Sequence, residues 1–165
     1  MFKSLICSVI VSLSCFISSA SATLQPPPTF AAKHAASGVE DVIDRAHQLL
    51  GTPYKWGGTS VEQGFDCSSF LVYLFKTEAN IQLPRTTAAM HRSTAATIKR
   101  NALKPGDAVF FKGNGQGRVN HVGLYIGEGK FIHSPRTGKN VRIDSLSNTY
   151  WSKNYTTAKR FHKAG

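Results

Sequence analysis

Apolar residues recur at helical spacing in the first half of the chain. They stand three and four positions apart over 39–50, and Gly51 with a proline two residues later ends that pattern. A second apolar stretch predicts a helix over 67–78, whose first residue is Cys67. Because Cys67 shares a helix face with the apolar residues three and four positions later, its thiol is expected to point toward the core. A third, short helix is predicted over 87–93.

Alternation of apolar and other residues replaces this spacing in the second half of the chain. In 120–126, Val122 and Leu124 point to one side of a strand, and His121 and Tyr125 point to the other. Strands are predicted over 108–111, 120–126, 130–133, 141–143 and 156–161. Helices followed by short strands are typical of an α+β fold, so we predict that the helical part carrying the cysteine packs on an antiparallel sheet.

Two histidines lie in successive strands, and the loop between the strands decides whether they meet. A three-residue loop pairs Ile126 with Lys130 and places His133 opposite Gly123, on the same face as His121. A two-residue loop would place His133 on the other face. We predict the first register, with Gly123 leaving room beside the two histidines.

The first residues have the composition of a secretory signal peptide. One positive charge at Lys3 precedes a mostly apolar stretch, and small residues up to Ala22 form a cleavage site. A lipoprotein anchored through Cys15 is the alternative, but Ser12 stands where that signal requires an aliphatic residue. The chain is therefore predicted to comprise a signal peptide over 1–22, a tether rich in Pro, Ala and Ser over 23–38, and one domain over 39–165.

Removal of the leader leaves Cys67 as the only thiol, because the other two cysteines lie within the leader. One cysteine forms no internal disulfide and no paired-ligand zinc site, which favours a reactive thiol over a structural one. Asp66 is a predicted N-cap, so Cys67 falls at the positive end of the helix dipole, where a thiolate is stabilised.

A nucleophilic thiol needs a base, and an imidazole base needs a second group to orient it. His121 is the candidate base and His133 the candidate orienting group, because a neutral imidazole nitrogen can accept a hydrogen bond. The backbone N–H of Cys67, aided by Tyr54, is the candidate oxyanion donor. These residue types predict a cysteine hydrolase, whereas a buried structural cysteine is the simpler alternative.

The chain is strongly basic, with a formal net charge of +11. Lys3 is the only charged residue before Lys33, so removal of the leader leaves +10. For an exported protein, this charge favours acidic envelope polymers or anionic lipid head groups rather than nucleic acid as partners. The basic residues are spread along the chain, which also fits a generally basic, solvated surface.

The order of short motifs resembles one known family. The motifs are Tyr54-Lys55-Trp56-Gly57-Gly58, Asp66-Cys67-Ser68-Ser69-Phe70, Leu83-Pro84-Arg85, Pro105-Gly106-Asp107, His121-Val122-Gly123-Leu124-Tyr125-Ile126-Gly127 and Ile132-His133. Over about 39–161 they are similar to the NlpC family of bacterial cell-wall cysteine peptidases. The resemblance implies a papain-like α+β fold, cleavage of peptidoglycan stem peptides and a Cys-His-His triad at Cys67, His121 and His133.

The same resemblance implies where substrate is held. Family members use the residues that flank the cysteine, here Asp66 and Ser68, and the tyrosine of the aromatic-glycine loop, here Tyr54. Asp66 would pair with a free amino group, and Arg85 is either structural or close to the substrate. Ser69 departs from the glycine common in the family, so close approach of substrate at this position is an open question.

We therefore expect an exported thiol hydrolase of the periplasm or cell envelope that cuts peptidoglycan and needs no cofactor or metal. The bond is either γ-D-Glu to diamino acid within a stem, or D-Ala to diamino acid in a cross-link. One alternative is an acyltransferase or lipid hydrolase, which needs a broad apolar groove. The other is a wall-binding module, which would be expected to lose the cysteine or a histidine. Expected partners are peptidoglycan stem peptides and anionic envelope polymers, without nucleic acid, and the chain is expected to be a monomer.

Overall fold

The computed structural model describes residues 30–113 and 117–162. Its helices are α1 (Phe30–Gln48), α2 (Cys67–Ala79), α3 (Thr87–Arg92) and α4 (Thr149–Asn154), with a 3₁₀ helix at Arg100–Ala102. Its strands are β1 (Thr59–Ser60), β2 (Gly64–Phe65), β3 (Ala96–Ile98), β4 (Ala108–Lys112), β5 (Val119–Gly127), β6 (Lys130–His133), β7 (Arg142–Ser145) and β8 (Tyr155–Arg160). The predicted signal peptide and residues 23–29 of the predicted tether lie outside the described residues.

Six of the strands form one antiparallel sheet in the order β3-β8-β4-β5-β6-β7, and β1 pairs with β2 in a separate ribbon. The prediction of helices packed on an antiparallel sheet is confirmed. Both α2 and α3 begin at the predicted residues, because capping and apolar spacing are local signals. The short β1, β2 and β3 were not predicted, since two or three residues are too few to show alternation.

Two apolar clusters cover the two faces of the sheet. Alternate residues of β4 and β5 enter opposite clusters: Phe110 and Val122 pack with α1, α2 and α3, whereas Phe111 and Tyr125 pack with α4. The first cluster contains the fully buried apolar residues of α2. The second contains Trp151 of α4 and lies beside the two histidines.

The first helix begins earlier than the apolar spacing predicts. α1 starts at Phe30, nine residues before the predicted start at Val39, so the second half of the predicted tether is helical. Alanine has the highest helix propensity of all residues, and this part of the chain contains four of them between Phe30 and Val39. Within the described residues, no helix is both long enough and apolar enough to cross a bilayer.

The pairing of β5 with β6 brings the two histidines together as predicted. Leu124 lies opposite Ile132, and this register puts His121 and His133 on one face of the sheet. The prediction that the two histidines share one face is therefore confirmed.

The loop that produces this register differs from the prediction. Gly127, not Ile126, pairs with Lys130, and the register shifts by one residue at Ile126. The turn is thus the shorter one, with Glu128 in the left-handed region at φ 51°. A β-bulge adds one residue to one strand, so the bulge restores the facing that the short turn alone would have reversed.

The prediction that Gly123 leaves open space beside the two histidines is also wrong. A Cβ on Gly123 would lie 2.5 Å from Cδ2 of Phe131, so the space above the glycine holds the Phe131 ring. Phe131 is fully buried, and its ring lies 4.8 Å from that of His133. The glycine therefore admits a packed aromatic ring beside the histidines instead of leaving open space.

Candidate active site

The start of α2 is held by a reciprocal capping box. Asp66 is the N-cap: its Oδ1 accepts from the Ser69 backbone N at 2.7 Å, and the Ser69 Oγ accepts from the Asp66 backbone N at 2.9 Å. Cys67 is consequently the first helical residue, as predicted. Ser69, which stands where the family commonly has glycine, accepts the second hydrogen bond of this capping box.

Asp66 is buried and is also the centre of an ion pair with the exposed side chain of Arg85. Its Oδ2 accepts from Arg85 Nη2 and from the Gly57 backbone N, both at 3.2 Å, and its Oδ1 accepts from Ser68 Oγ at 2.8 Å. Arg85 also donates to Ser68 Oγ at 3.1 Å. Burial raises the pKa of Asp66, but the hydrogen bonds from Ser69, Ser68 and Arg85 together lower it below its ordinary value. Both carboxylate oxygens are thus occupied by donors from this chain.

Cys67 is half-buried between α3 and the start of β5. Its Sγ lies 3.5 Å from Thr87 Oγ1 and 3.9 Å from the carbonyl oxygen of Asn120. Burial raises the pKa of the Cys67 thiol, the hydrogen bond with Thr87 lowers it, and the negative charge of Asp66 raises it further. The net shift thus favours the thiol rather than the thiolate expected at a helix N-terminus, with burial as its largest cause.

The two histidines form one hydrogen-bonded pair. His121 Nε2 and His133 Nδ1 are 2.7 Å apart, and both side chains are buried. Burial lowers the pKa of His121 well below its ordinary value, and the neighbouring His133 lowers it further. Burial also lowers the pKa of His133, although Asp144 opposes this shift. Both shifts favour the neutral form of each ring.

Asp144 of β7 extends this pair and was missed by the sequence analysis. Its Oδ2 lies 3.0 Å from His133 Nε2 and accepts from Arg142 Nη2 and from Trp151 Nε1, each at 2.8 Å. Burial raises the pKa of Asp144, but these hydrogen bonds, led by the one from His133, bring it well below its usual range. The carboxylate is ionised at neutral pH.

Trp151 contacts several members of this network. Its ring stacks on His121 with centroids 5.4 Å apart and an interplanar angle of 28°, and it meets His133 edge-on at 4.9 Å. Phe111 and Phe131 pack against the same indole at 4.8 and 5.2 Å. The imidazoles are thus held on an aromatic platform, which restricts their rotation.

Cys67 and His121 line the same cleft of about 460 Å³. Tyr54 lies in its wall, where burial raises the pKa of its hydroxyl; the Asp66 carboxylate and, once ionised, the Cys67 thiolate raise it further. The exposed aromatic rings of Trp56 (82 % exposed) and Tyr150 line the cleft as well. The other lining residues are Gly113, Asn120, Pro135, Arg136, Arg142, Asp144, Asn148 and Trp151.

The predicted site residues fall into two groups. Cys67, His121 and Tyr54 line the cleft, with His133 buried behind His121. Asp66, Ser68 and Arg85 form the separate ion-pair cluster at the start of α2. Thr87, Asn120, Asp144 and Trp151 were not predicted, because their places depend on contacts between distant segments. Among the residues described, no group of three His, Cys, Asp or Glu side chains is arranged to hold a metal ion.

Comparison with known proteins agrees with this geometry. The family model described as the NlpC/P60 family matches residues 51–160. Over 119 residues the chain is 48% identical to the murein DD-endopeptidase MepH of Escherichia coli K12, covering 72% of this chain and 44% of that protein. Over 122 residues it is 39% identical to the gamma-D-glutamyl-L-lysine dipeptidyl-peptidase of Bacillus subtilis, covering 73% and 40%.

Solved structures show the same fold. The crystal structure of an NlpC/P60 family protein from Bacillus cereus matches with a TM-score of 0.69 at 37% sequence identity, covering 74% of this chain and 40% of that one. The chain spans less than half the length of each of these three proteins. Because the family model covers well over half of the chain, and Cys67 and His121 line one cleft with His133 hydrogen-bonded behind His121, the chain belongs to the NlpC/P60 family.

Proposed function

We propose that this protein is a peptidoglycan endopeptidase, a thiol hydrolase that cuts peptide bonds of murein. The observation that carries the proposal is the 2.7 Å contact between His133 and His121, because His121 lines the same cleft as Cys67. A buried neutral imidazole beside a thiol, oriented by a second acceptor, is the arrangement that activates a cysteine nucleophile. The relative named a murein DD-endopeptidase supports the same reaction.

In the proposed mechanism, Cys67 Sγ bonds to the substrate carbonyl carbon while its proton moves to His121. His133 accepts a hydrogen bond from His121 and holds that ring in place. Because the pKa of the thiol is raised and that of His121 is lowered, the resting pair is neutral and the proton moves during attack. His121 then gives the proton to the leaving amine, and water hydrolyses the thioester.

The negative charge that develops on the carbonyl oxygen needs donors. The first N–H groups of a helix have no intrahelical partner, so the backbone N–H of Cys67 at the start of α2 is available for this role. Tyr54 lines the same cleft, and its hydroxyl is proposed as the second donor.

We infer that the bond is the D-Ala to diamino-acid cross-link. A dipeptidyl-peptidase recognises a free amino group, which would need an unpaired acid to bind it. Asp66, the expected partner of such an amine, is already paired with Arg85 and accepts from Gly57, Ser68 and Ser69. Asp66 and Ser68 are therefore proposed to anchor the start of α2. The relative at 48% identity is named a DD-endopeptidase, in agreement with this choice.

The cleft does not favour the lipid-handling alternative. Its lining includes Asn120, Arg136, Arg142 and Asn148, whereas an acyl chain would need a continuous apolar groove. A wall-binding module would have no use for a hydrogen-bonded pair of histidines at a cleft that a thiol also lines. We propose that the protein is exported by the segment 1–22 and is held near anionic envelope polymers by its net charge of +10 after cleavage.

The test is digestion of purified peptidoglycan, and of isolated cross-linked and uncross-linked muropeptides, followed by mass spectrometry. We expect monomeric muropeptides from cross-linked dimers with the wild-type protein and none with Cys67→Ala. Cys67→Ser is the matched variant, since it keeps the size of the side chain and loses the thiol. Cleavage of uncross-linked stems only would move the assignment to the γ-D-Glu bond. Binding to the wall without any cleavage would contradict the proposed function.

A further inference from the structure

We propose that Asp144 is a positioning residue of this active site: it determines which nitrogen of each histidine carries the proton, and thereby presents Nδ1 of His121 as the base for Cys67. The effect on turnover rests on the proposed function. The proton positions themselves can be measured without substrate, so the two proposals can fail separately.

The assignment follows from donor and acceptor roles along one line of contacts. A carboxylate only accepts, so the 3.0 Å contact between Asp144 Oδ2 and His133 Nε2 requires a proton on that nitrogen. A neutral imidazole carries one N–H, so Nδ1 of His133 must accept. The 2.7 Å contact with His121 then requires a proton on His121 Nε2, and its Nδ1 carries the lone pair that takes the thiol proton.

Two further donors keep the accepting oxygen in place. Arg142 donates to Asp144 Oδ2 through Nε at 3.2 Å and Nη2 at 2.8 Å, and Trp151 donates to the same oxygen at 2.8 Å. Neither guanidinium nor indole can accept a hydrogen bond in return. The atom that faces Arg142, Trp151 and His133 must therefore be an accepting oxygen of Asp144. Because that oxygen cannot donate, Nε2 of His133 must carry the proton of their hydrogen bond.

Burial prevents water from exchanging these roles. The His133 side chain is 0% exposed, and the Trp151 ring that donates to Asp144 also stacks on His121. Because rotation of either ring would break the stack or leave a buried N–H without a partner, one arrangement of protons is favoured over the others. Asp144 thus acts through His133 and does not touch the reacting atoms.

The first test is a measurement of proton position in the full-length wild-type protein. Nitrogen-15 NMR of the imidazoles distinguishes a protonated from a bare ring nitrogen. We expect His133 and His121 each to be protonated at Nε2 at pH 7.5. A proton on Nδ1 of His133, or an equal mixture of the two tautomers, would overturn the proposal.

The second test separates the acceptor from its charge. Asp144→Ala removes both, whereas Asp144→Asn keeps an oxygen that Arg142 and Trp151 hold toward His133. We expect Asp144→Ala to lower kcat by about 1,000-fold with KM within about threefold of wild type, as for the loss of a residue that sets a catalytic tautomer. Asp144→Asn should keep the wild-type tautomer spectrum and recover at least about tenfold of that loss.

The control is Asp44→Asn, which removes the same charge at an exposed position of α1 and should leave kcat unchanged. Equal losses of kcat in Asp144→Ala and Asp144→Asn, with unchanged tautomers in both, would overturn the positioning role and leave only an effect of charge. If Asp144→Ala does not fold, the nitrogen-15 spectra of the wild-type protein and of Asp144→Asn still test the positioning role. If the wild type cuts no peptidoglycan, the proposed function fails while the spectra still test the tautomers.

Discussion

Gly123→Ala adds one methyl group at the point where β5 passes under a buried ring. The new Cβ would lie 2.5 Å from Phe131 Cδ2 and 3.2 Å from the carbonyl oxygen of Ile132, whereas ordinary contacts begin at 3.4 Å. The Phe131 ring must therefore move by about 1 Å, because backbone atoms on the other side cannot yield. Phe131 is fully buried, so the movement has to be absorbed by its neighbours.

The size of the effect follows from those neighbours. The centroid of the Phe131 ring lies 4.8 Å from that of His133, 4.9 Å from that of Phe111 and 5.2 Å from that of Trp151, so the ring is packed among three other rings that a shift would disturb. Overpacking of a core by one methyl group costs about 1–3 kcal/mol. Loss of backbone freedom in the unfolded chain returns about 0.5 kcal/mol of this. We expect the free energy of unfolding to fall by about 2 kcal/mol, and Tm by about 6 °C.

Activity should fall more than stability suggests. A displaced Phe131 presses on His133, whose Nδ1 must stay within hydrogen-bond distance of His121. Misplacement of a catalytic group by about 1 Å can cost a factor of about 100, so we expect kcat to fall about 10- to 100-fold. Urea denaturation and muropeptide digestion of the same preparation measure both effects.

Gly38→Ala is the matched control. Its Cβ would meet Ala79 Cβ at 3.5 Å, an ordinary contact, and it lies within α1, where alanine is favoured over glycine. The same chemical change should therefore stabilise the protein by up to about 1 kcal/mol. In a Phe131→Val background, which removes the clashing atom, Gly123→Ala should cost less than about 0.5 kcal/mol. A Gly123→Ala protein as stable and active as wild type would refute this reasoning.

Two further predictions concern charge. Arg85→Met leaves the Asp66 carboxylate, whose side chain is 10% exposed, without its cation. Because the Arg85 side chain is 46% exposed, we expect the free energy of unfolding, measured by urea denaturation, to fall by only about 1 kcal/mol. Unchanged stability would show that the ion pair contributes nothing. Stability should also fall as pH drops below about 6.5, because His121 and His133 have lowered pKa values when folded, so the unfolded chain binds more protons. His47→Gln, at an exposed position, should show the same fall between pH 7.5 and 5.5, and a pH-independent wild type would contradict the neutral pair.

The position of Cys67 and the start of its helix could be predicted because the signals are local. Asp66, Cys67 and Ser69 lie within one helical turn, and the cap they form needs only each other and the backbone. The alternation that placed His121 on one face of β5 is local too. The loop after Ile126 was predicted wrongly, because a short turn with a bulge and a longer turn give the same facing and the sequence does not distinguish them.

Asp144 could not be predicted from its neighbours in sequence. Its contact with His133 depends on the pairing of β7 with β6, in which Phe131 lies opposite Asp144 and His133 opposite Arg142. Trp151 reaches the same carboxylate from α4. The alternation of side chains along β7 places Arg142 and Asp144 on one face of the strand. Only the register of β7 against β6 shows which histidine they contact.

By itself, the sequence determined the cysteine at a capped helix start, the two histidines on adjacent strands and the family to which they belong. Only the tertiary structure decided the electrostatic state of the site. A helix N-terminus favours a thiolate, yet burial raises the pKa of Cys67 and lowers that of His121. Caps and periodicity act over a few residues, whereas desolvation and ion pairing depend on every segment that packs around a group, and those segments are distant in sequence.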